Sequence, residues 1–350
     1  MSGNITKIDS SGGMHTGTTG IKISVIMPVF NAVDYIVQSL PPLIEMLGEG
    51  EIIEIIVVDD SSTDETLQVA ERLGARVIPS GGRLGPGGAR NCGARVADGD
   101  VLWFVDADVV VETGAVHKLI EGFSDPDIVA VFGSYDDRPA AQNFLSQYKN
   151  LIHHYYHHRT SQEASTFWSG CGAVRKEAFI QTGGFNAEMI CAEDIDLGYR
   201  LRDAGGRILL RPDLRGTHLK EWRLLNLLHT EIFCRAIPWS RLMLRRKSLH
   251  NDLNISYDER IRAGLAGLLL IVLVLALSGL VPWSVPCGAG ILVAYANRKL
   301  FAFFRKQKGV GFAILATLFH QLYYLYSSAA FVWCWIEVRI LGLHQRQTST

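Results

Sequence analysis

Val101-Leu-Trp-Phe-Val-Asp106-Ala-Asp108-Val-Val-Val111 is an apolar run broken only by two carboxylates one residue apart. Its first half reads as a buried strand, and ionised carboxylates at the end of such a strand are costly unless a cation or hydrogen-bond donors compensate them. If the strand stops at Val105, Asp106 and Asp108 can converge on an ion; if it continues, both lie on one face. In both cases the stretch predicts a core strand whose carboxyl end carries chemistry.

Upstream, apolar runs alternate with amphipathic stretches. Residues 23–27 read as a strand ended by Pro28, 34–47 as a helix interrupted by Pro41-Pro42, and 52–58 as a strand buried on both faces. Residues 63–73 have helical spacing, with Leu67, Ala70 and Leu73 on one side; 75–78 read as a third strand and 90–97 as a helix. This alternation predicts an α/β fold, an open and mostly parallel sheet flanked by helices, with its site beyond the carboxyl ends of the strands. The notable polar groups fall there: Asn31, Asp59-Asp60-Ser-Ser-Thr-Asp64, Gly81 to Asn91, and the Asp106/Asp108 pair. A dinucleotide-binding domain is disfavoured, because its glycine-rich turn belongs straight after the first strand, where this chain has Pro28-Val-Phe-Asn-Ala-Val-Asp34.

Composition narrows the class further. The 34 Lys and Arg against 35 Asp and Glu leave a net charge of −1, which gives no electrostatic case for nucleic acid as a partner. Cys92, Cys171, Cys191, Cys234, Cys287 and Cys334 are scattered without zinc or disulfide spacing, consistent with a reducing, cytosol-facing domain. Residues 1–20, rich in Gly, Ser and Thr, are expected to form a disordered tail. A catalytic domain over 21–240 and a basic juxtamembrane linker over 241–260 follow.

Residues 261–338 read as a transmembrane region, with spans at about 261–282 and 309–337 and a marginal one at 284–304, before a tail at 339–350. Arg241, Arg245, Arg246, Lys247, Arg260 and Arg262 precede the first span, and Arg298, Lys299, Arg305, Lys306 and Lys308 precede the last. The positive-inside rule puts both clusters, and the catalytic domain with them, on the cytoplasmic side of a membrane, which suggests the bacterial inner membrane.

Five ordered motifs carry a family resemblance: Ser24-Val-Ile-Met-Pro-Val-Phe-Asn31, Val57-Val-Asp-Asp-Ser-Ser-Thr-Asp-Glu-Thr66, Gly87-Gly-Ala-Arg-Asn91, Phe104-Val-Asp-Ala-Asp108 and Ala192-Glu-Asp-Ile-Asp-Leu-Gly-Tyr-Arg-Leu201. Over residues 23 to about 235 the chain resembles the family 2 glycosyltransferases of the GT-A fold. The resemblance implies a UDP-, GDP- or dTDP-linked sugar donor and a divalent cation, Mn²⁺ or Mg²⁺, that neutralises the diphosphate. Asp108 would then ligate the ion, with Asp106 sharing the site or holding the ribose, and His218 would add a metal or diphosphate contact. Asp60 would accept from the base or ribose, and Asp59 would do the same or orient the turn. Pro28 would shape that turn, Asn31 or Asp34 would line the nucleotide site, and Arg90, with Arg83 as its rival, would reach the diphosphate.

The acceptor side follows by the same resemblance. Glu193 and Asp194 fall in the first turn of a helix whose Leu197, Leu201 and Ala204 share a face, and Asp194 is the expected catalytic base, with Glu193 beside it. A base suits a hydroxyl acceptor, whereas a polyprenyl phosphate is already anionic. Gly170, Cys171 and Gly172 are expected to border the acceptor. Trp222, Arg235 and Trp239 loosely resemble the Q-x-x-R-W motif of processive synthases, without the Gln. His153-His-Tyr-Tyr-His-His158 reads as an amphipathic helix with titratable edges rather than a metal cluster. The expectation is a membrane-anchored, inverting transferase acting on a lipid or lipid-linked hydroxyl. The alternatives are a polyprenyl-phosphate transferase or a non-catalytic nucleotide-sugar sensor.

Overall fold

The computed structural model describes residues 20–246 and 253–340. Most of the expected N-terminal tail, residues 247–252 of the basic linker (Lys247 among them) and residues 341–350 lie outside the described residues.

The elements run β1 (Ile23–Val29), α1 (Val33–Gly48), β2 (Glu54–Asp59), α2 (Thr66–Arg72), β3 (Arg76–Pro79), α3 (Gly85–Val96), β4 (Val101–Val105), β5 (Val109–Val111) and α4 (Ala115–Gly122). Then come β6 (Ile128–Tyr135), α5 (Phe144–His157), β7 (Glu163–Ala164), β8 (Cys171–Arg175), α6 (Lys176–Gln181), α7 (Glu193–Asp203) and β9 (Arg207–His218). The helical remainder is α8 (Leu224–His229), a π-helical stretch Thr230–Ala236, α9 (Ile237–Arg246), α10 (Tyr257–Leu277), α11 (Ser284–Ala296) and α12 (Arg298–Arg339).

The strands form one sheet in the order β3-β2-β1-β4-β8-β6-β9-β5, with β7 on β9. The β3-β2-β1-β4 half is parallel throughout, as unbroken apolar strands require. Beyond β4, β8 runs antiparallel to both β4 and β6, and β9 is parallel to β6 but antiparallel to β5. Ile36, Leu40 and Leu43 of α1 cover one face, while Ala89 of α3 and Leu197 and Leu201 of α7 cover the other.

Two local expectations are corrected. Pro41 and Pro42 do not interrupt α1, which is continuous. The carbonyls that they deprive of a partner belong to Val37 and Gln38 on the solvent side, where water can satisfy them, while Ile36, Leu40 and Leu43 hold the helix down. Helix α3 starts at Gly85, five residues before the expected 90, so its glycines sit in a packed helix and not in a loop. A Cβ at Gly87 would lie 3.0 Å from Cγ of Glu193, and glycine there lets the start of α7 close onto α3.

In the C-terminal region, α10 is the one helix among the described residues that is long and apolar enough to cross a membrane. Helix α11 has 13 residues, about 20 Å of rise, against a hydrocarbon core of about 30 Å. It stops at Ala296, where the buried Asn297 side chain donates to the Val293 carbonyl, instead of running on to 304. Leu300 and Phe304 belong to α12 and are buried against Tyr148, Leu151 and Ile152 of α5. Gly309, at φ +85°, breaks α12 into 298–308 and 310–339.

Candidate active site

A cavity of about 1010 Å³ opens beyond the carboxyl ends of β1, β2 and β4 and continues to the C-terminal helices. Pro28, Asp60, Arg83, Arg90, Asp106, Asp108, Glu193, Asp194, His218, Trp222, Arg235 and Trp239 all line it. Strand β4 ends at Val105, and Asp106-Ala-Asp108 forms a tight turn into β5, closed by Val109 N donating to the Asp106 carbonyl at 3.0 Å. The buried Ser39 hydroxyl donates to the Ala107 carbonyl at 2.7 Å and fixes the turn from α1.

Sheet register then creates a pair that sequence distance hides. Val109 stands opposite His218 in the β5–β9 ladder, which brings Nε2 of His218 to 3.4 Å from Oδ2 of Asp108. The His218 ring is stacked on Tyr135, with centroids 4.4 Å apart. Burial pushes the Asp108 carboxyl up, but His218 and Lys220 outweigh it and hold Asp108 below its ordinary value. Adjacent ligands of an octahedral ion at 2.1 Å stand about 3 Å apart, so these two donors fit one hard or borderline cation. Among the described residues no cluster of three or more His, Cys, Asp or Glu side chains is placed to hold an ion, so further ligands would have to come from substrate and water.

The Arg90 guanidinium is buried, with Nη2 at 2.6 Å from Oδ1 of Asp106 and Nη1 at 2.8 Å from Oε1 of Glu193. It differs from the expected diphosphate clamp by being committed to two carboxylates that it holds in place. Burial and the adjacent Asp194 push the Glu193 carboxyl up to about 7 against the pull of Arg90. Among the described residues Asp194 has no such ion pair; it accepts from the backbone N–H groups of Ile195, at 2.8 Å, and Ser169, at 3.4 Å. Burial raises its pKa, and Arg90 and these N–H groups lower it less than burial raises it. Ala192 precedes the pair in the left-handed region at φ +62°, a strained conformation that turns the first residues of α7 into the cavity.

Other expected residues are employed elsewhere. Asn31 does not line the cavity; its side-chain oxygen accepts from Thr63 N at 2.8 Å and staples the β1–α1 loop to the β2–α2 loop. Asp59 accepts from Ser62 N at 3.1 Å and so orients the turn. Asp60 lines the cavity, yet its carboxylate already accepts from Leu84 N at 2.8 Å and Gly85 N at 2.9 Å, at the start of α3. Arg83 is the half-exposed cation of the mouth, lying over the Phe30 ring.

Gly170, Cys171 and Gly172 are a correction: they are buried in or beside β8 and do not border the cavity. A Cβ at Gly172 would fall 2.2 Å from the Trp168 carbonyl oxygen, so glycine is what lets Phe167 and Trp168 fold back over the strand. Trp168 and Ser169 reach the cavity in their place. Burial pushes the Cys171 thiol up to about 12, so it is inert.

The His153–His158 run is helical as far as His157, but it packs inward instead of presenting an open edge. His154 and His157 are buried on Tyr135 O and Gly133 O at 2.9 and 3.0 Å, tying α5 to β6, and burial lowers His157 to about 3. Sequence reasoning missed Lys149, Tyr135 and Glu231, which line the cavity. None lies in a motif, and only the turn of α5 toward the cavity brings Lys149 there.

Residues 24–183 match the family model for glycosyl transferase family 2. That segment is a family 2 glycosyltransferase domain. A pre-mycofactocin glycosyltransferase of Mycobacterium tuberculosis is 28% identical over 224 residues, covering 59% of this chain and 46% of the relative. The glycosyltransferase GlyG of Streptococcus pneumoniae is 30% identical over 118 residues, 32% of this chain and 38% of its own. The chain therefore spans less than half the length of these curated relatives. A mannosyltransferase of Pyrobaculum calidifontis, solved with GDP-mannose and Mn²⁺, superposes on this chain with a TM-score of 0.61 and 20% identity. That likeness covers 90% of this chain and 88% of the other, and it establishes the GT-A fold.

Proposed function

We propose that this chain is a membrane-anchored, inverting glycosyltransferase that moves a sugar from a nucleotide-sugar donor onto a hydroxyl of a lipid or lipid-linked acceptor. One observation carries the reading: the strand-end carboxylates, the Asp108–His218 pair and Asp194 share a single cavity that runs on to helices α10 and α12. Asp108 and His218 would hold Mn²⁺ or Mg²⁺, which would supply neutralisation of the departing diphosphate. The Mn²⁺ bound by the Pyrobaculum neighbour supports that expectation. Asp194, without a cationic partner of its own, takes the proton from the acceptor hydroxyl. Arg90 keeps Asp106 and Glu193 from that role by pairing with both. Anchoring through α10 keeps the catalytic domain at the cytoplasmic face, where the nucleotide sugar is found.

A thermal-shift screen of UDP-, GDP- and dTDP-sugars with and without Mn²⁺ tests the donor half; no stabilisation by any of them would reject the proposal. Asp194→Asn tests the acceptor half. A hydroxyl acceptor predicts a loss of turnover of about a hundredfold or more with donor affinity retained. Near-normal turnover would instead favour a polyprenyl phosphate as the attacking group.

A further inference from the structure

Between Asp194 and the C-terminal helices the cavity wall holds two cations on one carboxylate oxygen. Lys149 Nζ lies 2.6 Å from Oε1 of Glu231, and Arg235 Nε lies 3.5 Å from the same oxygen. Lys149 and Glu231 are largely withdrawn from water, whereas the Arg235 side chain is 42% exposed, and both cations line the cavity. Asp194 faces Arg235 from α7 and, ionised as a base must be, offsets part of that cation's charge from beyond the distance at which Glu231 pairs with it. His153, also on the wall, is driven to its neutral form by burial and adds no charge. Lys149, Arg235 and Glu231 together carry one positive charge in excess, which is left uncompensated once Asp194 has taken its proton, in a site where uncompensated charge is costly. Burial and the repulsion of Arg235 lower Lys149 to about 8, so an anion arriving there would restore its full charge.

Past this pair the cavity reaches α10 and α12. Its wall there includes Gly264 of α10 and Ser327, Ser328 and Phe331 of α12. A Cβ built at Gly264 meets nothing within 4 Å, so the gap between the two helices is open at that level. On α10 the neighbouring Leu268 and Ile271 are exposed, as a bilayer-facing surface would be.

We infer that the acceptor is a lipid carrying a phosphate group, which docks against Lys149 and Arg235 while its chain leaves between α10 and α12 beside Gly264. This rests on the proposed glycosyl-transfer reading and names the acceptor class within it. Set at the cation pair, the phosphate anchors the acceptor, and the attacking hydroxyl lies farther in, toward Asp194.

The test uses the full chain purified in detergent, without nucleotide. Quenching of cavity tryptophans reports titration with farnesyl phosphate, farnesol or inorganic phosphate. The expected result is saturable farnesyl phosphate binding about tenfold or more tighter than that of either alternative, the scale of a charge-assisted contact. Lys149→Met should erase that advantage, Lys149→Arg should keep it, and Gly264→Phe should weaken both lipids but not inorganic phosphate. Equal binding of farnesol and farnesyl phosphate, or an advantage that survives Lys149→Met, would overturn the phosphate assignment. Tight inorganic phosphate would point to a soluble phosphorylated acceptor and overturn the lipid. Unchanged lipid binding by Gly264→Phe would overturn the exit path. Nucleotide-sugar thermal shifts on the same samples separate the two levels: their absence in the wild type strikes the proposed function, whereas their presence without phosphate discrimination strikes this inference alone.

Discussion

Replacing Arg90 by methionine removes the cation that bridges Asp106 and Glu193 while keeping most of the side-chain volume. Arg90 is 3% exposed and makes contacts of 2.6 and 2.8 Å, so its loss strands two carboxylates, one of them fully enclosed. Breaking a buried pair of this kind costs about 3–5 kcal/mol, and the lower end applies because Asp106 keeps some access to water. For a domain of this size that is a fall in Tm of about 6–12 °C.

The cost of the Arg90 replacement should depend on pH. The folded Glu193 carboxyl stands at about 7 with Arg90 present, against an ordinary value of 4.5, and moves higher without it. A carboxyl raised in the folded state holds more protons there than in the unfolded chain. Its penalty is therefore absent below 4.5, grows as pH rises, and is complete above the folded value. The gap between variant and wild type should be smallest near pH 5 and widen toward pH 9, by about 1.4 kcal/mol for each unit that the folded value moves beyond 7. Scanning fluorimetry at a fixed rate across that range measures it, and adding Glu193→Gln should close part of the gap at pH 9. An identical Tm deficit at pH 5 and pH 9 would mean that Arg90 acts through packing and would refute the electrostatic account.

Further outcomes are expected elsewhere in the site. Asp108→Asn and His218→Ala should each raise the Mn²⁺ concentration needed for half-maximal donor binding by about tenfold or more, since each removes a ligand; an unchanged titration would place the ion elsewhere. Gly172→Ala drives a Cβ to 2.2 Å from the Trp168 carbonyl and should cost about 1–3 kcal/mol, visible as a lowered Tm. Asn31→Ala should lower stability by about 1 kcal/mol through the lost Thr63 bond without weakening donor affinity. A clear loss of affinity in that variant would return Asn31 to the nucleotide site.

The parallel half of the sheet was legible because its strands are short, apolar and buried on both faces, and each polar loop follows a strand end. The 101–105 strand and the helix beginning at Glu193 fall where periodicity places them. The prolines of α1 and the glycines of α3 misled for a common reason. A breaker's effect depends on which carbonyl it orphans or which neighbour it admits, and those are tertiary facts. Gly170 and Gly172 show the same limit: glycine signalled a close approach, but the approaching group is the chain's own Trp168, by its ring at Gly170 and its carbonyl at Gly172, rather than a substrate.

The sequence by itself determined the α/β alternation, the strand-end position of Asp106 and Asp108, the first-turn position of Glu193 and Asp194, and a C-terminal helix of membrane length. Those follow from patterns of two to four residues, which is the range over which backbone geometry repeats. The tertiary structure alone decided which of these charges meet. The β5–β9 register joins Asp108 to His218, the closure of α7 on α3 gives Asp106 and Glu193 to Arg90 and leaves Asp194 unpaired, and the turn of α5 brings Lys149 to Glu231. Such pairings link residues 16 to 110 positions apart, and they depend on packing of whole elements that no local pattern encodes.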